Sequence, residues 1–309
     1  MTYPTVVLQK AAEQLKKRRE ENKQITLAKK EKVYIEIPQL QVINQKIGAL
    51  LKFSVAAETN VNDMKQAFKE LVLEREKLLL AKGYPANYLE DYYECPICKD
   101  EGFVGAAPCE CYQKIMRAEA YKLSNLSSRI EKENFATFSL NIHSEQKAME
   151  VFLEKAKRYC KQDTNIKNNL LFTGATGTGK TFLSSCIAKE FLDSGHFVLY
   201  LTANRICTII DDAKFRHEQP EHGEYLAMIN ECDLLIIDDL GTEYTFGYPQ
   251  SQLFDILETR MLSGKRTVIS TNMDLGELNQ KYSPRLVSRI LGNFEIFVFR
   301  GNDLRYQQG

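Results

Sequence analysis

The sequence predicts an α/β fold in its carboxyl-terminal part, a parallel sheet with helices on both faces. Before it stands a mainly helical region carrying a small cysteine-bound module. Three observations predict this. Gly174-Ala-Thr-Gly-Thr-Gly179-Lys180-Thr181 follows the apolar run Leu170-Leu-Phe-Thr173 and opens a helical stretch, Phe182 to Ala188. Downstream, short apolar runs such as Leu234-Leu-Ile-Ile237-Asp238-Asp239 alternate with helical patterns, as a parallel sheet with crossover helices requires. Upstream, Cys95, Cys98, Cys109 and Cys111 cluster in one turn-rich stretch.

A chain of 309 residues exceeds one average domain, and 44% apolar with 27% charged residues is ordinary for a soluble protein. No apolar run approaches membrane-spanning length, and the start Met1-Thr-Tyr-Pro-Thr lacks a signal-peptide pattern, so no membrane partner and a cytoplasmic location are expected. The formal net charge is zero, which leaves any nucleic-acid contact to local patches. One such patch is the basic run from Lys10 to Lys32, for which a solvated helix face is the commoner explanation. Eight cysteines in a cytosolic chain argue against a disulfide framework, and Cys160, Cys186, Cys207 and Cys232 read as ordinary buried residues.

Residues Val6 to Lys32 hold few turn formers and many Ala, Leu, Glu, Gln and Lys, which predicts a long polar helix broken at Ile37-Pro38. A second helical region is expected from Gln39 to Lys82, with Ile43, Ile47, Leu50 and Leu51 on one apolar face and Met64, Phe68, Leu71, Leu78 and Leu79 later. It is either a small bundle or a surface for a partner. After Gly83-Tyr-Pro85 comes Cys-x₂-Cys, a ten-residue loop and Cys-x-Cys. Four sulfur ligands suit tetrahedral Zn²⁺ in a closed structural site, which replaces a core that so small a region barely builds; the alternatives are a redox dithiol or a metal–sulfur cluster, and neither has its surrounding pattern here. Tyr112 to Ser139 reads as a helical connector. Phe135 and Phe138 either line an adenine site or simply pack, and a helix with Met149, Val151 and Phe152 follows. The expected domains are 1–115, helical and zinc-binding, 116–140 as linker, and 141–309.

The Gly-rich loop fits G-x-x-x-x-G-K-[ST] in its required strand–loop–helix setting. Its glycines turn backbone N–H groups inward to ring a phosphate, and the helix N-terminus adds partial positive charge. Gly174, Ala175, Thr176, Gly177, Thr178, Gly179, Lys180, Thr181 and Phe182 are the expected ATP contacts, with Lys180 on the β- and γ-phosphates and Thr181 on Mg²⁺. Phe197 to Leu201 is the next strand, Ala203 to Ala213 a helix, and His217 to Gly223 a polar loop with no assigned role. At the end of the buried strand, Asp238 would hold Mg²⁺ and Asp239 polarise the attacking water. Glu is commoner at the second position in ring-forming ATPases. A helix from Tyr248 to Ser263 and a strand from Thr267 lead to Asn272, placed to orient water or sense the γ-phosphate, or else a plain turn residue. Arg289, with Arg285 second, is positioned one helix later, where an arginine reaches a neighbouring subunit's γ-phosphate or forms a surface ion pair. In the first case the group is worth about 10³–10⁵ in rate. The strand Glu295 to Phe299 closes the pattern, followed by Arg300 and Arg305, with no helical lid after it.

Through Gly174–Thr181, Leu234–Gly241, Ser270–Asn272 and Ser283–Ile290, residues 134–305 resemble the AAA+ ATPases of the DnaC/DnaI replicative helicase-loader family. The transposition helper IstB is a close relative of that family. The family shares the Asp-Asp pair, and its arginine-finger box matches Ser288-Arg289-Ile290. The amino-terminal half resembles the zinc-containing variety of loader. The resemblance implies a hexameric replicative DNA helicase as partner, single-stranded DNA in a central channel, and self-association through the ATPase domain. ATP is then a switch between subunits. The alternatives are an IstB-type transposition helper and a nucleotide-gated adaptor with negligible turnover.

Overall fold

The structure, a computed structural model, describes residues 3–53, 61–126, 129, 132–163, 166–215, 220–243 and 248–304. Its chain divides into two units, one of Ala12–Gln113 and one of Met1–Ala11 with Lys114–Gly309. The long helix α1 (Thr5–Glu36) contains no Gly or Pro and stops where Pro38 disfavours helical backbone at Ile37. Helices α2 (Gln39–Phe53) and α3 (Val61–Ala81) pack on each other. One buried cluster among the described residues gathers Val33, Ile37, Leu40, Leu79 and Leu89, with Tyr34, Leu78, Tyr84 and Tyr88 around it. Ile43 and Ile47 are buried as expected, whereas Ile35, Val42, Phe68, Leu73 and Leu80 remain exposed. The two readings of this region therefore coexist, a real core and leftover apolar surface.

Strands β1 (Phe103–Val104) and β2 (Ala107–Pro108) pair antiparallel between the two cysteine pairs. Helix α4 (Glu110–Leu123) ends well short of Ser139, where the sequence pattern carried it. The hydroxyl of Ser124 donates to Tyr121 O at 2.7 Å, and Asn125 takes φ 62°, a left-handed cap that Asn tolerates. Further on, the Asn134 side chain accepts from the N–H groups of Ala136 and Thr137 and folds a turn.

The larger unit continues with α5 (Gln146–Cys160), β3 (Asn169–Gly174), α6 (Lys180–Asp193), β4 (Val198–Thr202), α7 (Ala203–Phe215) and α8 (Pro220–Glu231). Then come β5 (Leu234–Leu240), α9 (Tyr248–Leu262), β6 (Arg266–Thr271), α10 (Leu275–Lys281), α11 (Pro284–Asn293) and β7 (Phe294–Phe299). The expected loop up to Gly223 is helical from Pro220 onward, because Pro suits the first helical position; His217 lies outside the described residues. The capping box of Asp274 and Glu277 starts α10, and Ser283 followed by Pro284 starts α11.

All five strands run parallel in the order β4-β5-β6-β3-β7. Right-handed crossovers put α6 on one face and α7, α8 and α9 on the other. The contacts agree: α5 meets α6, and α7, α8 and α9 touch one another. Leu170 to Phe172 and Leu234 to Ile237 are wholly buried, which is why these strands are unbroken aliphatic or aromatic runs. Strand β6 lies between β3 and β5, so the phosphate-loop strand and the acidic strand are one strand apart. Their carboxyl ends frame a gap with the end of β6 at its floor.

Arg260 is fully buried and spends its guanidinium on backbone carbonyls and one hydroxyl. It donates to Ile229 O at 2.7 Å, Cys232 O at 3.0 Å, Arg266 O at 2.5 Å and Thr267 Oγ1 at 3.1 Å. It thereby ties the end of α8 to β6. Arg260→Ala orphans these acceptors and is expected to cost about 3–5 kcal/mol in urea unfolding, with Arg260→Lys intermediate. An unchanged midpoint would remove this tie from the fold.

Candidate functional site

The phosphate loop turns sharply at three glycines, with φ 136° at Gly174, 77° at Gly177 and 100° at Gly179. At Gly174 a Cβ would sit 2.0 Å from Phe299 O, so β3 and β7 allow no side chain there. The loop and α6 bound a cleft of about 440 Å³, into which Thr176, Thr181, Phe182, Asp239 and Asn272 face. Lys180 is almost fully buried and donates to Gly174 O at 2.6 Å, Ala175 O at 2.7 Å and Asn272 Oδ1 at 2.9 Å. Burial holds its ammonium down at about 8, against the pull of Asp239 and Asp238, which favour the charge.

Beyond Ile237, β5 leaves regular pairing: Ile237 opposes Ile269 and Leu240 opposes Thr271, so one residue is extra. Asp239 absorbs the bulge at φ 55°. Plain alternation would send consecutive side chains to opposite faces. Instead Asp238 meets Thr181, whose Oγ1 is 3.4 Å from both carboxylate oxygens, while Asp239 lines the cleft beside Lys180. Asp238 is held from both flanking strands. Tyr200 donates its hydroxyl to Oδ2 at 2.6 Å, and Ser270 donates to Oδ1. Ser270 also accepts from the Asp239 N–H at 3.1 Å. Burial first, then the neighbouring Asp238, raise the Asp239 carboxyl above its ordinary range. The glycine-lined loop and Lys180 fit a polyphosphate, and the hydroxyl and carboxylate of Thr181 and Asp238 are hard oxygen donors suited to Mg²⁺.

Lys180, Thr181, Asp238, Asp239 and Asn272 thus converge. Arg289 and Arg285 do not line this cleft. Arg289 reaches Glu258 at 3.0 Å with its side chain half-exposed, and Arg285 lies 3.8 Å from the same carboxylate with its guanidinium over the Phe254 ring. Arg300 is exposed, and Arg305 lies outside the described residues. Phe138 stacks on His143 and meets Phe182 edge-on, next to the loop, while Phe135 faces Lys157. Sequence reasoning missed the roles of Tyr200 and Ser270, Arg129, which lines the cleft, and the segment after β7. There Asp303 packs against Gly177, and Leu304 N–H donates to Gly177 O at 3.0 Å. The available signal was weak: a tyrosine inside the buried run of β4, and in β6 a serine that is one of three hydroxyl residues.

In the other unit, Cys95, Cys98, Cys109 and Cys111 bring their sulfurs within 4.8 Å of one another, the one such ligand cluster among the described residues. The Cys95–Cys109 and Cys98–Cys111 sulfurs are 3.7 and 3.4 Å apart. A tetrahedral zinc with Zn–S near 2.3 Å separates its sulfurs by about 3.8 Å, so the donor set fits. Lys99, Asp100 and Gly102 all take positive φ, and the Gly102 N–H turns to Cys98 Sγ at 3.4 Å. Asp100 is buried and locks this knuckle to α1. It accepts from the N–H groups of Glu94 and Cys95 at 3.0 Å and from Asn22 at 2.9 Å, and it pairs with Arg18 at 3.0 Å. Without metal, N–H donors from the Cys98 turn lower the Cys95 thiol to about 7, while burial pushes Cys111 up to about 12.

A phosphate loop, a bulged acidic strand end and a polar strand end between them define a P-loop nucleotide-binding protein of the AAA+ type. The chain belongs to the IstB-like ATP binding protein family, whose model matches residues 118–308. Among relatives, the replicative helicase loader DnaC of Escherichia coli (strain K12) is 26% identical over 67% of this chain and 83% of its own. That of Buchnera aphidicola subsp. Baizongia pistaciae is 25% identical over 53% and 68%. A crystal structure of the DnaC helicase loader aligns with 56% of this chain and 99% of that chain at 20% identity and a TM-score of 0.48. No helix among the described residues is long and apolar enough to cross a membrane.

Two outcomes follow from these sites. Cys95→Ser and Cys109→Ser should each lose bound zinc by elemental analysis; full zinc content in both would end the proposal of a cysteine site. Lys180 in the folded, nucleotide-free protein titrates near 8 instead of 10.5, so between these values the unfolded chain holds more protons. Its cost to folding is therefore relieved as pH rises through that window. Added phosphates restore its charge, so ATP binding at pH 8.5 should take up protons, read as a buffer-dependent heat in calorimetry. That uptake should fade below pH 7, and identical heats in all buffers would contradict it.

Proposed function

We propose that the chain is an ATPase that loads a replicative DNA helicase onto single-stranded DNA in the cytoplasm during replication initiation, with ATP at subunit interfaces as the switch. What carries the ATPase part is the convergence of Lys180, Thr181, Asp239 and Asn272 on one cleft, with Asp238 buried behind it against Thr181. The loader part is supported by similarity to DnaC across most of that loader's length.

In this reading, Gly174 to Phe182 hold the phosphates with Lys180, and Thr181 and Asp238 hold Mg²⁺, which lends charge neutralisation when bound. Asp239, its proton affinity raised, takes the proton of the attacking water, and Asn272 orients that water. Arg289 acts on the neighbour's nucleotide. Its pair with Glu258 is an exposed one, worth about 0–1 kcal/mol, so it exchanges partners at little cost. Residues 1–115 grip the helicase, with zinc as a structural staple, 116–140 connect, and 141–309 form the ATPase. The family's IstB-like character keeps one second reading, a transposition helper. Co-purification with a hexameric helicase or with a transposase separates the two.

Lys180→Ala should abolish ATP binding. Arg289→Ala should keep binding but lower DNA-stimulated hydrolysis by about 10³-fold or more. Full stimulation in that variant would remove the action in trans.

A further inference from the structure

We propose that Tyr200 is a positioning residue for Asp238, holding the carboxylate in the orientation in which it shares a divalent cation with Thr181. The inference rests on the nucleotide-site reading above and extends it to a strand that carries no nucleotide-binding motif.

Tyr200 is the third residue of β4, opposite Ile236 of β5, between Leu199 and Leu201. Its ring is 6% exposed, and its strand neighbours are as buried. Packing there asks only for a ring, and phenylalanine would supply one. The hydroxyl, in contrast, needs a partner once buried, and its partner is Asp238 Oδ2 at 2.6 Å. Ser270, from the strand on the other side of β5, donates to Oδ1. The two hydroxyls thus grip one oxygen each, from β4 and β6, and stop rotation of the carboxylate. Thr181 faces both oxygens at an equal 3.4 Å, so the edge held open is the edge toward α6. That edge is where hydroxyl and carboxylate would share the ion. Groups that orient a metal ligand typically contribute about 10–100-fold to metal affinity.

The test uses the full chain, a fluorescent ATP analogue and a Mg²⁺ titration, with affinity also measured in EDTA. Tyr200→Phe should keep the EDTA affinity and a cooperative unfolding transition, with its midpoint lowered by the lost buried hydrogen bond, and raise the Mg²⁺ concentration for half-maximal tightening by about 10-fold or more. In an Asp238→Asn background the same substitution should add nothing. If Tyr200→Phe does not fold, Tyr200→Met, which fills the space without a hydroxyl, answers the same titration. A wild-type Mg²⁺ midpoint in the variant overturns the inference. An equal loss of affinity with and without Mg²⁺ also overturns it, since that is a packing effect. If the wild type itself binds no nucleotide, the ATPase reading fails and this inference with it. Mg²⁺-dependent binding unchanged by Tyr200→Phe sinks the Tyr200 role alone.

Discussion

One buried carboxylate organises the working end of the larger unit. Asp238 takes hydroxyls from β4 and β6 while facing Thr181 at the start of α6, so three elements converge on it. A charge this deep is tolerable only when its oxygens are satisfied, and here the partners are rigid strand residues. Everything else at the cleft is placed relative to it. The bulge that frees Asp239 begins at the next peptide, and the Asp239 N–H is secured by the hydroxyl of Ser270, the same group that donates to Asp238. Lys180, held near 8 by burial, balances two carboxylates with one cation whose own proton is loosened.

The smaller unit solves its stability problem by a parallel device. A buried acid, Asp100, gathers two backbone N–H groups, Asn22 and Arg18, and fixes the cysteine knuckle to the long helix. Beside the described hydrophobic cluster of that unit, polar locking and a metal-competent thiol set add to what its core supplies. In both units a carboxylate with several fixed donors sets the local geometry.

Much of this was legible in the sequence, for local reasons. The phosphate loop, the aliphatic run before Asp238 and the four cysteines each carry their chemistry within about twenty residues, so spacing suffices to place them. Tyr200 and Ser270 were not legible, because their meaning lies in contacts with Asp238 across 38 and 32 residues of chain. Leu304 over Gly177 depends likewise on β7 pairing with β3. The premature end of α4 had its signal in Ser124-Asn125, outweighed by the helix-forming residues around it. The extra residue of β5 was invisible for a different reason: register belongs to a pair of strands, and one strand's sequence does not contain it.

That extra residue sets a rule about counting. Between Ile237 and Leu240 the chain spends three steps where its neighbour from Ile269 to Thr271 spends two. Removing one residue there would restore ordinary alternation and send one carboxylate to the far face of the sheet. Adding one would slide Leu240 off Thr271 and unpair the turn that follows. Descendants of this chain are free to exchange side chains along the segment, but its length is locked, and insertions must accumulate elsewhere.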